Sequence, residues 1–412
     1  MKLSEPHKPA PSSRFDAPYA CVPPGEVTGR IAALQEKMRT AALGGCLLLQ
    51  NIDIFYFTGT MQDGGLFIPA QGDPTFWIRR GLERGRAESP LEKLCPWDSF
   101  EQVCREVKNR LPAMAKLGME LDILPARLFQ RYADQLPDLI LTDVSPLIRK
   151  QRAIKSDYEL ECIKKACRVT SEVFAAAKTL IKPGITELEL QAELEYQARI
   201  RGHLGIGRMR AWNNELFFGH VISGPAAAVR GYLDAPTNGI GLDPAFPQGA
   251  TIQVLRPGVP VSIDFMVNYR GYLDDATRMF CLGEPDAKTA RAHRDLLELN
   301  HRLLAAVKPG LEAGNIFELA VELAEAMGYG DHFLGSGPDR VSFVGHGVGL
   351  EVDEFPFLAR GSRLRLEPGM VFALEPKFIF PGHGVATIEN TCLVTQNGVE
   401  RLTGDEEAIV VV

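Results

Sequence analysis

The stretch VSIDFMVNYRGYLDDATRMF, from Val261 to Phe280, places acids where a strand should be buried. It reads as two strands around a turn at Asn268, Tyr269, Arg270 and Gly271. A hairpin centred on that turn sets Asp264 directly across from Asp275. Directly opposed side chains have Cβ atoms roughly 5 Å apart. Two carboxylates at that distance repel by roughly 3 kcal/mol at an effective dielectric of about 20. The flanking Ile263 and Phe265 mark the strand as at least half buried, so the repulsion needs a compensating charge.

The second half of the chain repeats this arrangement. Lys182-Pro183-Gly184 precedes a helix start at Thr186 with Glu189, and Lys308-Pro309-Gly310 precedes one at Asn315 with Glu318. Both starts read as capping boxes. A second Pro-Gly follows in each copy. RPGVPVSID leads from Pro257-Gly258 to Asp264, and EPGMVFALE leads from Pro368-Gly369 to Glu375; each acid stands six residues after its glycine. A hairpin then returns a further acid, Asp275 in the first copy and Glu389 in the second. Two copies of a helix-plus-hairpin unit, related by a pseudo-twofold axis, would bring four carboxylates together.

At 412 residues the chain exceeds one ordinary core and is expected to form two domains. Residues 1–25, rich in Pro, Ser and Ala, read as an extended arm without the apolar run of a signal peptide. Residues 26–155 alternate helix and strand and read as a small α/β domain. RIAALQEKMRTAAL and FEQVCREVKNRL are its helices, GGCLLLQ and KLGMELD are strands, and GGLFIPAQGDPTFWIRR is a hairpin. Nothing there clusters acid, base and nucleophile, so its expected role is to shape substrate or structure. Residues 156–412 open on Ser156 with Glu159, a capping box before a long amphipathic helix. A net charge of -7 without a basic run excludes a nucleic-acid or anionic-membrane surface as an expectation, and no apolar run is long enough for a span. The eight cysteines include no C-x-x-C pair and are expected as reduced thiols in a cytoplasm.

Four buried carboxylates cannot all stay ionised without cations. Two divalent ions shared by Asp264, Asp275, Glu375 and Glu389 would turn the repulsion into ligation. An imidazole is available at His346, in SFVGHGVGLEVDEFPF, where glycines at 345, 347 and 349 allow close backbone approach. Carboxylates with one imidazole suit manganese, iron, cobalt or zinc better than calcium.

These motifs together resemble a known family. GYLDDATR around Asp275, GHGVGL around His346, ALEP at Glu375 and TIENT at Glu389 look like those of the pita-bread metallopeptidases, which include prolidase, aminopeptidase P, methionine aminopeptidase and creatinase. NIDIFYFTGT resembles the N-terminal domain of creatinase and prolidase. The resemblance runs from about Glu26 to Val412. It implies an α/β (α+β) chain, with a creatinase-like N-terminal domain and a C-terminal pita-bread domain of pseudo-twofold symmetry. It implies a dinuclear centre on Asp264, Asp275, His346, Glu375 and Glu389, with manganese first and iron, cobalt or zinc as alternatives. It implies Glu375 as the proton carrier, a short peptide with proline after the scissile bond as substrate, and a homodimer.

Two positions depart from that family. The peptidases carry a second histidine seven residues after the ligand histidine, where this chain has Asp353. They carry another after the SG turn, where ISGPAAAVRGYLD offers Arg230 and Gly231. His220 is the nearest histidine and, with Glu375 and Asp353, a candidate catalytic residue; with Arg210 it is a candidate for the pocket wall. Glu354 reads as a rim acid or a solvated turn residue. Asp353 leaves room for two other functions: a creatinase-like C–N hydrolysis or an elimination on a small cationic substrate, or a metal-binding scaffold without activity.

Overall fold

The protein is described by a computed structural model in which residues 20–210, 212–216, 219–404 and 406–412 are placed. Most of the expected N-terminal arm, residues 1–19, lies outside these. The chain divides into two compact units, the first ending at Gln151 and the second starting at Arg152, four residues before the expected boundary. No helix among the described residues is long and apolar enough to cross a membrane.

The first unit is built on a six-stranded mixed sheet. Its strand order is Leu94–Pro96, Thr75–Ile78, Gly64–Pro69, Gly45–Leu48, Lys116–Met119 and Ile140–Asp143. The expected hairpin is there, Gly64–Pro69 against Thr75–Ile78. The first helix spans Pro24–Thr40, beginning six residues before Arg30 and within the expected arm. Proline in the first turn needs no amide partner there, and Glu26 in the same turn complements the helix dipole. Phe100–Asn109 is capped by the Ser99 hydroxyl, which accepts from the Gln102 amide at 3.0 Å, and it buries Phe100, Val103 and Val107. NIDIFYFTGT forms the helix Asn51–Thr58.

The second unit has two larger sheets, each covered by a pair of helices. One sheet runs Val410–Val411, Ala276–Cys281, Val261–Phe265, Gly219–Ser223. The other runs Val352–Glu354, Gly345–Val348, Val371–Leu374, Asn390–Val394, Val399–Arg401. Helices Asp157–Leu180 and Glu187–Ile200 bury Phe174, Leu190 and Leu194 against Ile263, Phe265 and Phe280. Helices Ala287–Ala306 and Ala313–Ala326 bury Leu296, Leu299 and Phe317 against Phe372 and Leu374. Each such side chain removed from water contributes roughly 1.5–3 kcal/mol, so either sheet depends on its helix pair for stability.

The two copies meet in one reciprocal bridge. The Thr277 amide donates to the Glu389 carbonyl and the Glu389 amide to the Thr277 carbonyl, both at 3.3 Å. Two residues that each give and receive the same bond sit on a twofold axis. Arg278, fully buried beside the bridge, donates to the Glu389 carbonyl at 2.7 Å and to Asn390 Oδ1 at 2.9 Å.

Ser156 with Glu159 and Thr186 with Glu189 form the expected capping boxes. The third expected cap is corrected: the helix starts at Ala313 with Glu312 as its N-cap residue, so Asn315 lies inside the first turn. Its first amides need no side-chain acceptor, because Ala313 and Gly314 donate to the carbonyls of Leu364 and Ser362. In the other copy, Glu187 and Leu188 donate in the same way to Gln253 and Thr251. Both N-caps therefore stand two residues after the glycine of the Lys-Pro-Gly motif, at Thr186 and Glu312.

Glu354 is neither rim acid nor solvated turn residue. It is buried, accepting from Arg152 at 2.5 Å and from Lys155 at 2.8 Å, while Glu351 lies 2.8 Å from Arg152. Burial alone would raise its pKa, but the two cations outweigh burial and hold it at about 2. A carboxyl depressed in this way stabilises the fold at any pH above its unfolded value near 4.5, and that contribution is lost as pH falls towards 2. We expect Glu354→Gln to cost about 3 kcal/mol at pH 7, from roughly 1.4 kcal/mol per pKa unit. It should also flatten the acid dependence of stability between about pH 4.5 and 2. Urea titrations of both proteins across that range measure both effects; an unchanged pH profile would mean that the ion pairs contribute nothing to stability.

Candidate active site

The opening hairpin forms, in a different register. The chain reverses at Arg270-Gly271, with φ of 54° and 94°, between Asn268–Tyr269 and Tyr272–Leu273. Two successive positive φ values make the two-residue turn that fits the twist of a hairpin. The Asn268 side chain fixes it by accepting from the Gly271 amide at 2.9 Å. The turn thus falls one residue later than expected, and the pairing shifts by two. Asp264 faces Thr277, and Asp275 becomes its diagonal neighbour. A shift of two keeps every side chain on its original face, so both acids still point the same way. Diagonal neighbours stand roughly 7–8 Å apart, which weakens the repulsion without removing it.

In the second copy, Leu374 pairs with Asn390. The same register carried one residue further sets Glu375 against Glu389. His346 enters from the neighbouring strand Gly345–Val348, opposite Ala373. His220 stands directly opposite Asp264 in the ladder of Gly219–Ser223 with Val261–Phe265.

These strands converge on one cavity. It takes in Asp264, Asp275, His346, Glu375 and Glu389, all five expected ligands, and has about 790 Å³ of open space including its mouth. His346 Nε2 lies 3.6 Å from Glu375 Oε1, 3.9 Å from Asp275 Oδ2 and 3.9 Å from Glu389 Oε1. Asp275, His346 and Glu389 each offer an atom within 4.8 Å of the others. Asp275 Oδ1 is buried and has no hydrogen-bond partner. An orphaned carboxylate oxygen among other carboxylates and an imidazole fits the donor chemistry of a divalent ion.

The electrostatics show the crowding. Burial, and then Glu389, Asp264 and Glu375, push Asp275 well above the usual carboxylate range. Burial and Glu375 push Glu389 up to about 8 against the pull of Lys377. Burial works against a charged His346, but Asp353, Glu375 and Glu389 outweigh it and raise its pKa. Burial lowers that of His220, against the pull of Asp264 at 3.6 Å.

Asp353 also lines the cavity. It adopts a φ of 65° in the strand Val352–Glu354, and its Oδ1 lies 3.5 Å from His346 Nδ1, the ring nitrogen away from the other acids. Arg210 and Arg230 are not among the lining residues. Arg210 approaches Glu351 at 3.8 Å, and Arg230 donates to the Ala235 carbonyl.

Sequence reading missed Lys377. Its buried ammonium donates to Glu375 Oε2 at 2.7 Å and lies 3.8 Å from both Asp264 Oδ2 and Glu389 Oε2. Burial opposes its charge, but the three carboxylates outweigh that and hold its pKa well above the ordinary lysine value. The alternation of an extended strand carried the signal: Lys377 is two residues from Glu375 and so shares its face. Thr277 was missed too; its hydroxyl donates to Glu389 Oε2 at 2.8 Å.

Residues 161–396 match the model of metallopeptidase family M24, and residues 30–154 match the creatinase/prolidase N-terminal domain. The chain belongs to metallopeptidase family M24. It is 28% identical to an Xaa-Pro dipeptidase of Pyrococcus furiosus over 92% of its own length and 99% of the relative's. It is 28% identical to a probable dipeptidase of Mycobacterium tuberculosis over 97% and 99% of the two chains. Among solved structures, an Xaa-Pro dipeptidase from Bacillus anthracis superposes with a TM-score of 0.79 at 27% identity, covering 94% of this chain and all of the other. The prolidase of Pyrococcus horikoshii gives 0.77 at 26% identity, covering 93% and all.

Removing one acid should separate function from stability. We expect Asp275→Asn to weaken divalent-metal binding at least about tenfold, roughly 1.4 kcal/mol, while raising the melting temperature of the metal-free protein. Calorimetric metal titration and thermal melts of the apoprotein test this pair of opposite changes. If both properties fall together, Asp275 is structural.

Proposed function

We propose that this chain hydrolyses short peptides with proline after the scissile bond, using divalent metal held by Asp264, Asp275, His346, Glu375 and Glu389. The observation that carries the reading is the convergence of these five side chains on one cavity, with Asp275 Oδ1 left unpartnered. Relatives named Xaa-Pro dipeptidase and prolidase, matched over nearly their whole length, support the substrate class. We take manganese as the first metal to try, and a cytoplasmic homodimer as the state to test.

A bound divalent ion lowers the pKa of its water and polarises a carbonyl. Glu375 supplies the proton path. Lys377 donates to its Oε2 at 2.7 Å, and the carboxylate takes the proton of the attacking water and returns it to the leaving nitrogen. His346 Nδ1 is held by the Gly347 carbonyl at 3.3 Å; Asp353, 3.5 Å from that nitrogen, presents a negative charge to the cavity, where the ammonium of a dipeptide is a suitable partner. Apolar side chains of Met209, Leu216, Leu233, Met266 and Phe343 line the cavity too and suit a proline ring. A second reading, hydrolysis or elimination on a small cationic substrate, draws on the same Asp353 charge.

We expect manganese-loaded protein to cleave Xaa-Pro dipeptides at least about tenfold faster than Xaa-Ala dipeptides, and chelation to abolish the activity. A panel with no cleavage and full metal would turn the assignment to the second reading. We also expect Asp353→Asn to keep its metal and melting temperature yet lose at least about tenfold in kcat/KM, roughly 1.4 kcal/mol of transition-state stabilisation. Metal analysis, melting curves and steady-state kinetics on one preparation check this. An unchanged kcat/KM removes Asp353 from the reaction.

A further inference from the structure

The two glutamates divide their oxygens between two positions. Glu375 Oε1 and Glu389 Oε1 face His346 Nε2 at 3.6 and 3.9 Å, on the side of Asp275 Oδ2. Their Oε2 atoms face Lys377 Nζ at 2.7 and 3.8 Å, on the side of Asp264 Oδ2. In a two-ion carboxylate centre, bridging carboxylates place one oxygen on each of two cations about 3.5–4 Å apart. Here the second of those positions already holds a cation that belongs to the chain.

We propose that Lys377 replaces one of the two metal ions, so that the centre takes a single divalent ion on Asp275 Oδ2, His346 Nε2, Glu375 Oε1 and Glu389 Oε1. This rests on the metallopeptidase reading, replaces the two ions expected from the sequence with one, and takes Asp264 out of the ligand set. Metal–oxygen bonds are about 2.0–2.2 Å long. An ion bound by Asp264 Oδ2 and both Oε2 atoms would have to share those three oxygens with the Lys377 ammonium, which lies 2.7 to 3.8 Å from them. Lys377 cannot readily retreat. It is 2% exposed, and its strand Lys377–Phe380 is fixed in a four-pair ladder with Gly384–Thr387, where Lys377 pairs with Thr387. Asp264, a ligand by sequence, then serves as the counter-ion of Lys377.

The test is the number of ions per chain, measured on full-length protein stripped of metal and titrated with Mn(II). Binding is followed by calorimetry, by elemental analysis after desalting, and by the electron paramagnetic resonance of bound manganese. We expect one ion per chain in the wild type, with the spectrum of an isolated ion. Lys377→Ala should bind two, with a spectrum broadened by coupling between neighbouring ions. Asp264→Asn should still bind one. Two ions in the wild type overturn the proposal and leave the metal-dependent reading standing. A folded Lys377→Ala protein that stays at one ion also overturns it. No ion in wild type or variant overturns both. If Lys377→Ala does not fold, the wild-type count and the Asp264→Asn count decide the question: one ion in each supports the proposal, and any other result overturns it.

Discussion

The mutual repulsion of four acids in one cavity is the constraint on which the second unit is built. A pair of unit charges 4 Å apart interacts by about 4 kcal/mol at an effective dielectric of about 20, and several such pairs approach the whole stability of a domain. The raised pKa values of Asp275 and Glu389 are the direct sign of that cost. Much of the surrounding structure holds the acids in place against it. Helix pairs clamp both sheets, the reciprocal Thr277–Glu389 bridge locks them together, and the Arg278 guanidinium ties the bridge to Asn390. Lys377 is the one cation placed by the chain directly among these acids within the described residues of the cavity lining.

The features of the site legible in sequence were those set by local spacing. A Pro-Gly followed six residues later by an acid, twice, marked Asp264 and Glu375, and the glycines around His346 marked the imidazole. What spacing could not give was register. Asn268-Tyr269-Arg270-Gly271 offers several two-residue centres, and the bond from the Gly271 amide to the Asn268 side chain selects the later one. The acids were still read on the correct face because a shift of two preserves alternation. The Asn315 cap failed for a different reason. Asn-x-x-Glu satisfied a local rule, while the amides of Ala313 and Gly314 found their acceptors some fifty residues away along the chain. The duplication itself held the better answer, since aligning the two Lys-Pro-Gly motifs sets Glu312 level with Thr186. Nothing local to Glu354 announces Arg152 and Lys155, some two hundred residues earlier.

The pairing also shows that the duplication keeps strand register around the site while changing its chemistry. With Asp264 level with Glu375, the two ladders set Thr277 level with Glu389 and Asp275 level with Thr387. Each copy therefore has a threonine where the other has its second acid. The sequence shows two acids per copy and suggests a symmetric square of carboxylates; the structure places them on non-equivalent positions. Both threonine positions are fully buried, and Thr277 uses its hydroxyl to hold Glu389.

That inequivalence explains how a twofold framework can hold a centre with two different cation positions. A symmetric set would offer both positions the same donors and bind them alike. Here one side has the imidazole of His346 and the carboxylate of Asp275, a mixed set suited to a transition-type divalent ion. The other has carboxylate oxygens of Asp264, Glu375 and Glu389 around Lys377, with the His220 ring 3.6 Å from Asp264 Oδ2, an anionic set that an ammonium satisfies by hydrogen bonding. The residue level with Lys377 in the first copy is Met266, which reaches the same cavity without a charge. A single difference between equivalent strand positions therefore puts a fixed charge on one side of the axis only, and leaves the His346 side to bind what the chain does not supply.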